Sequence, residues 1–79
     1  MTRDEVETRV ETVFGEVFAG RLPFSRELTR AEHEYWTSLK HMELLVALEV
    51  AFGVRFDGAD AVDMQSIETV IERVAERTA

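Results

Sequence analysis

The sequence has no cysteine, one proline (Pro23) and one lysine (Lys40), against eight arginines. Without cysteine there is neither a disulfide framework nor a thiolate metal site. That composition fits a reducing, cytoplasmic setting. No apolar run approaches the roughly 18 to 20 residues that cross a bilayer. The opening MTRDEVETRV is charged and periodic, unlike a secretory signal peptide. Lys and Arg number 9 against 16 Asp and Glu, for a formal charge of −7. Such a chain repels nucleic-acid phosphates and anionic lipid, so the expected partners include no nucleic acid and no membrane. Basic protein surfaces suit it better. With 79 residues it reads as one domain, 1–79, and a lone domain of this charge is most simply a monomer. A chain of this length buries only about 60% of its unfolded surface, which leaves a thin core and little volume for a deep active site.

What is present is helical periodicity. Val6, Val10, Val13 and Val17 share a face with Phe14 and Phe18, a pattern of roughly four helical turns. Thr2 and Glu5 form a capping-box pattern before it, and Gly20 and Pro23 mark its end. Residues 19–36, AGRLPFSRELTRAEHEYW, form a connection longer than the usual loop, with Leu22, Phe24, Leu28, Tyr35 and Trp36 as apolar anchors. Its LTRAEHEYW end has room for a short helical turn. A second helix spans about 38–52 and stops at Gly53. DGADAVDM reads as a turn and a short third helix. Ser66 caps a last helix with Ile67, Val70, Ile71 and Val74 on one face, and Arg73 and Arg77 lie toward its negative end. The fold class is all-α: a four-helix bundle of three longer helices and one short third helix, with a long first loop.

The second helix carries the unusual pattern. At about 100° per residue from Leu39, the side chains of Leu44, Leu45, Leu48 and Phe52 fall between about 140° and 240°, a core face. Leu39, Val46 and Val50 fall within about 20° of the opposite side, with Glu43 beside them and Lys40 at the flank. A helix apolar on two sides is either buried all round or offers one side to a partner. Full burial is difficult in a bundle this small, so this stripe is expected to be exposed unless the long loop folds over it. At the helix start, one of the hydroxyls of Thr37 and Ser38 fits an N-cap, which contributes about 1 kcal/mol. Ser38 also fits a covalent phosphate ester, because the first amides of a helix are unpaired and its N-terminus is partly positive.

The run Ser38-Leu39 followed by Leu44, Leu48, Glu49, Phe52, Gly53, Val54 and Phe56 resembles the acyl carrier protein family, including peptidyl carrier domains. The resemblance extends over about residues 4 to 75. It implies a carrier rather than an enzyme, with no catalytic residue. A phosphopantetheinyl transferase using coenzyme A and a divalent metal would attach 4′-phosphopantetheine to Ser38, and the arm would hold an acyl group as a thioester. The resemblance also implies that the transferase and the acyl-loading and acyl-transfer enzymes dock at Thr37, Leu39, Lys40, Glu43, Val46 and Val50, where Glu43 matches an acidic docking position of the family and Leu39 and Val46 match apolar ones. The chain departs from the family pattern at Thr37, where aspartate is common, at Lys40, where an acidic or polar residue is common, and at Val50, where glutamate is common. Lys40 in the first turn opposes the helix dipole, which pairing with the arm's phosphate would offset. Trp36, two residues before the serine, is similar to stand-alone carriers of polyketide or mixed peptide–polyketide assembly. Fatty-acid synthesis and an unmodified, carrier-like interaction module are the alternatives.

No metal site is expected. His33 and His41 lie eight apart across a loop–helix junction and form no HExxH spacing. Met42 and Met64 read as core fillers. Trp36 and Tyr35 are expected to pin the long loop to the bundle, with the arm's exit as their other possible place.

Overall fold

A computed structural model describes residues 1–79. Four helices follow in order: α1 (Arg3–Phe18), α2 (Ser38–Phe52), α3 (Gly58–Asp63) and α4 (Ile67–Thr78). A single 3-10 turn, Arg30–Glu32, interrupts the connection between α1 and α2. There is no strand; Thr29 and Ser66 form one isolated antiparallel bridge. The all-α bundle read from periodicity is the observed architecture, with α2 at the expected limits.

Local chemistry accounts for each helix end. Thr2 Oγ1 accepts from the Glu5 amide and Glu5 accepts from the Thr2 amide, closing the capping box on α1. Asp57 and Asp60 close the same device on α3, and Ser66 and Thr69 on α4. Each box satisfies two amides that a helix start would otherwise leave unpaired. Gly53 ends α2 in the left-handed region at φ 67°. The end of α1 differs from the expectation. Ala19 already takes the left-handed conformation at φ 51°, and Gly20 follows at φ 71°. The turn therefore uses the glycine as its second left-handed residue rather than as its first.

The core is a single cluster in which α1 contributes Val6, Val10, Val13, Phe14 and Phe18, α2 contributes Leu44, Leu45 and Leu48, and α4 contributes Ile67, Val70, Ile71 and Val74. Met64 fills the space beneath the α3–α4 junction and is fully buried. Met42, expected to do the same, is exposed. It lies at about 300° on the helix wheel, outside the core arc. Val17 and Phe52 are only half-buried at the margins of the cluster.

The long connection is ordered by packing and by two main-chain bonds. Leu22, Leu28 and Trp36 are buried. Arg30 N–H donates to Gln65 O at 2.8 Å, and Ile67 N–H donates to Leu28 O at 2.9 Å. These bonds lash the connection to the α3–α4 junction and bring residue 30 to the start of α2. The apolar stripe of α2 is therefore left open, because the connection passes elsewhere.

One buried charge locks α3 to α4. Asp60 is buried, accepts from the Asp57 amide at 2.9 Å, receives two bonds from Arg77 at 2.7 Å, and pairs with Arg73. Arg73 and Arg77, expected to act on the helix dipole, thus act mainly on a carboxylate. The bond with the Asp57 backbone, opposed by burial and helped by both arginines, holds the Asp60 carboxyl below its ordinary value of 3.8. A carboxyl with a lowered folded pKa stabilises the fold above its unfolded pKa, and that contribution disappears as pH falls through the folded value. Asp60→Asn is therefore expected to cost about 2 kcal/mol near neutral pH, the usual scale for hydrogen bonds to a charged group. Urea unfolding at several pH values should show the gap between native and variant closing below about pH 4.

Candidate functional site

The site is built at the entrance to α2. Thr37 is the N-cap: its side chain accepts from the Lys40 amide at 3.1 Å. Ser38 is then free of capping duty and stands exposed as the first residue of the helix. Its Oγ accepts a hydrogen bond from Arg30 Nη2 at 2.8 Å. The same guanidinium donates through Nε to Trp36 O at 3.1 Å and through Nη1 to Gln65 Oε1 at 3.1 Å. Three separate segments thus meet on Arg30. The sequence reading missed it, because an arginine inside a loop gives no periodic signal. Only the bridge between Thr29 and Ser66 brings it to the serine.

Behind Ser38 lies an aromatic plug. Trp36 is buried, edge-on to Phe14 at 5.7 Å and to Phe18 at 5.8 Å between ring centres. Its Nε1–H donates to His41 Nδ1 at 3.0 Å. Because that ring nitrogen accepts, the proton sits on Nε2, which donates to Ala61 O at 2.8 Å. His41 is buried with both nitrogens engaged and is a packing residue, not a metal ligand. Trp36 pins the loop, as expected. Tyr35 does not share that place: it is exposed, with the Arg21 guanidinium 5.3 Å over its ring. Phe18, Ala19, Arg21, Tyr35 and Lys40 line a cleft of about 300 Å³ beside the helix start.

Lys40 does not reach Ser38. Its Nζ donates to Val17 O at 3.2 Å, near the negative end of α1, and pairs with Glu43 at 3.1 Å. The end of α1 thus offsets the unfavourable place of Lys40 on α2. Leu39, Val46 and Val50 are 70%, 55% and 81% exposed, with Glu43 exposed among them. Met42 on α2 and Val62 on α3 are exposed as well, at 54% and 71%. The predicted docking positions Leu39, Glu43, Val46 and Val50 therefore share one open face that begins at Ser38. Thr37 and Lys40 sit at its upper rim, engaged in cap and ion pair.

No protein-family model matches the chain, and no curated protein sequence matches it. Among solved structures, the solution NMR structure of a holo acyl carrier protein from Geobacter metallireducens superposes with a TM-score of 0.80. The match is 23% identical and covers 91% of this chain and 84% of that one. The chain has the acyl carrier protein fold. On this fold Ser38 stands exposed at the head of α2, beside an uncovered apolar helix face.

Burial lowers the pKa of His41, the Ala61 bond opposes this, and the Arg30 charge adds to the lowering. The unfolded chain takes up this proton near the ordinary value of 6.5 while the folded chain resists it. The contribution of His41 is therefore complete above pH 6.5 and is lost as pH falls below it. Chemical denaturation followed by Trp36 fluorescence should give lower stability at pH 5.5 than at pH 7.5, and His41→Gln should weaken that dependence. Thr37→Ala is expected to cost about 1 kcal/mol through loss of the cap alone.

Proposed function

We propose that this chain is an acyl carrier protein, with Ser38 as the attachment point of a 4′-phosphopantetheine arm. The observation that carries the reading is the exposed Ser38 hydroxyl at the positive end of α2, at the head of an exposed apolar face, on a carrier fold. The residues fit the group. A primary hydroxyl open to solvent can be esterified without disturbing the core, and the unpaired amides of a helix start favour the negative charge that results. When bound, the arm supplies a thiol that holds an acyl group as a thioester. Ser38 anchors, Thr37 and the Trp36–His41 pair keep the helix start fixed, and the face of Leu39, Glu43, Val46 and Val50 meets the enzymes that load and use the acyl group. The chain itself catalyses nothing; tethering raises the local concentration of what it carries. It works in the cytoplasm as a single domain and a monomer. Its pathway, on this reading, is polyketide or mixed peptide–polyketide assembly.

Thr37 bears on the alternative of an unmodified interaction module. An aspartate before the serine would cap α2; Thr37 makes that same cap bond. The departure from the family pattern therefore leaves the local geometry of a modifiable serine intact, which favours the carrier.

Intact-protein mass after incubation with coenzyme A, magnesium and a broad-specificity phosphopantetheinyl transferase should rise by one phosphopantetheine. Ser38→Ala should take up none. A folded native chain that stays unmodified with several transferases would sink the carrier reading. Val46→Gln should leave folding stability within about 0.5 kcal/mol, as for surface positions generally. The same substitution should raise the KM of the transferase for this chain, because it removes apolar contact area from the docking face.

A further inference from the structure

The chain has nine basic side chains, and one of them is out of keeping with the rest. Arg3, Arg26, Lys40, Arg73 and Arg77 pair with carboxylates. Arg9, Arg21 and Arg55 pair with none, and all three are exposed to water. Arg30 alone is half-buried and without a carboxylate partner, on a chain that has 16 Asp and Glu to offer. Its guanidinium is held instead by three neutral acceptors: Trp36 O, Gln65 Oε1 and Ser38 Oγ. Taking a cation out of water without an anion is costly, and neutral acceptors return only part of the loss. A fixed, partly desolvated guanidinium with one arm on a serine hydroxyl is set up for an anion on that serine. Arginine suits this role because its planar fork presents several donors at once to phosphate oxygens.

We propose that Arg30 is the phosphate-positioning residue of Ser38, donating from Nη2 to the phosphoryl oxygens of a group esterified to Oγ while Nε and Nη1 keep the guanidinium in place. The identity of that group as the phosphodiester of the arm rests on the carrier reading. Two consequences follow from the geometry. The root of the arm is held against the 3-10 turn and the α3–α4 junction, since Arg30 is tied to both. The new negative charge is also neutralised locally on a chain whose net charge is already −7. Lys40 cannot serve in this way, because its amine is committed to Val17 O and Glu43.

The test places a phosphate on Ser38 without a transferase, so that it stands apart from the loading experiment. Phosphoserine is incorporated at position 38 during synthesis, and its second ionisation, ordinarily near pH 6, is followed by phosphorus NMR. A nearby fixed cation favours the dianion. The midpoint in the otherwise native chain should lie at least about 0.5 unit below that in Arg30→Gln, about a threefold change in proton affinity. Arg30→Lys should fall between them, and added salt should narrow the difference. In the otherwise native chain the Arg30 Nε–H resonance should shift with the same midpoint, a readout that needs no variant to fold. Equal midpoints in the chain with Arg30 and in Arg30→Gln, or an Arg30 resonance that ignores the phosphate titration, would overturn the proposal. If the midpoints differ but the chain never loads, the carrier reading falls and the phosphate contact stands. If it loads and the midpoints agree, the reverse holds.

Discussion

The indole of Trp36 is the fixed point from which the entrance to α2 is built. Its ring packs edge-on against the Phe14–Phe18 pair, its N–H is used by His41, and its carbonyl is used by Arg30. One residue therefore joins the hydrophobic core to the polar network at the surface. A long connection would otherwise make a poor support for a functional group, since loops without packed anchors sample many conformations. Here the residue two places before Ser38 has almost no freedom. Burial of a large aromatic ring, about 1.5 to 3 kcal/mol or more of transfer free energy, fixes where the serine stands.

Around that anchor, polar groups are spent economically. Every buried side-chain nitrogen and oxygen has a hydrogen-bond partner. The two buried polar residues, His41 and Asp60, both meet the short helix α3: His41 through the carbonyl of Ala61, and Asp60 from within α3 itself. A six-residue helix has too few turns to be stable by itself. It is held from one side by a neutral imidazole and from the other by two arginines of α4. The thin core expected of a chain this size is thus supplemented by directed bonds at the place where the apolar contacts are fewest.

Much of this was legible in the sequence, because it rests on periodicity and on helix ends. The valine row of α1, the limits of α2, the cap at Ser66 and the two-sided character of α2 are all local patterns. Met42 was misread because methionine is commonly a core filler, while its angle on the wheel already placed it away from the core. Ala19 in the left-handed region was not legible, since that conformation favours glycine and Gly20 stood next to it. Arg30 and Asp60 were missed for a different reason. Their roles depend on partners 6 to 35 positions distant for Arg30 and on arginines 13 and 17 positions distant for Asp60. Such contacts leave no trace in spacing. Ser38 was singled out by its place at a helix start and by a family likeness, whereas the donor on its Oγ is visible only in tertiary structure.

The two apolar sides of α2 also bear on how the chain finds its structure. A helix with one greasy stripe has one way to dock; α2 has two, and hydrophobicity alone separates them poorly. Turned by half a revolution, it would still bury Leu39, Val46 and Val50. It would also carry the Glu43 carboxylate into the interior and leave Trp36 Nε1 without His41, at a cost of several kcal/mol for the unpaired charge. The rotational register of α2 is therefore chosen by its polar residues, with Glu43 rejecting the wrong face and His41 rewarding the right one. An acidic residue on the outer stripe and a histidine on the inner one act as a keyed pair for assembly, whatever later visits the open face.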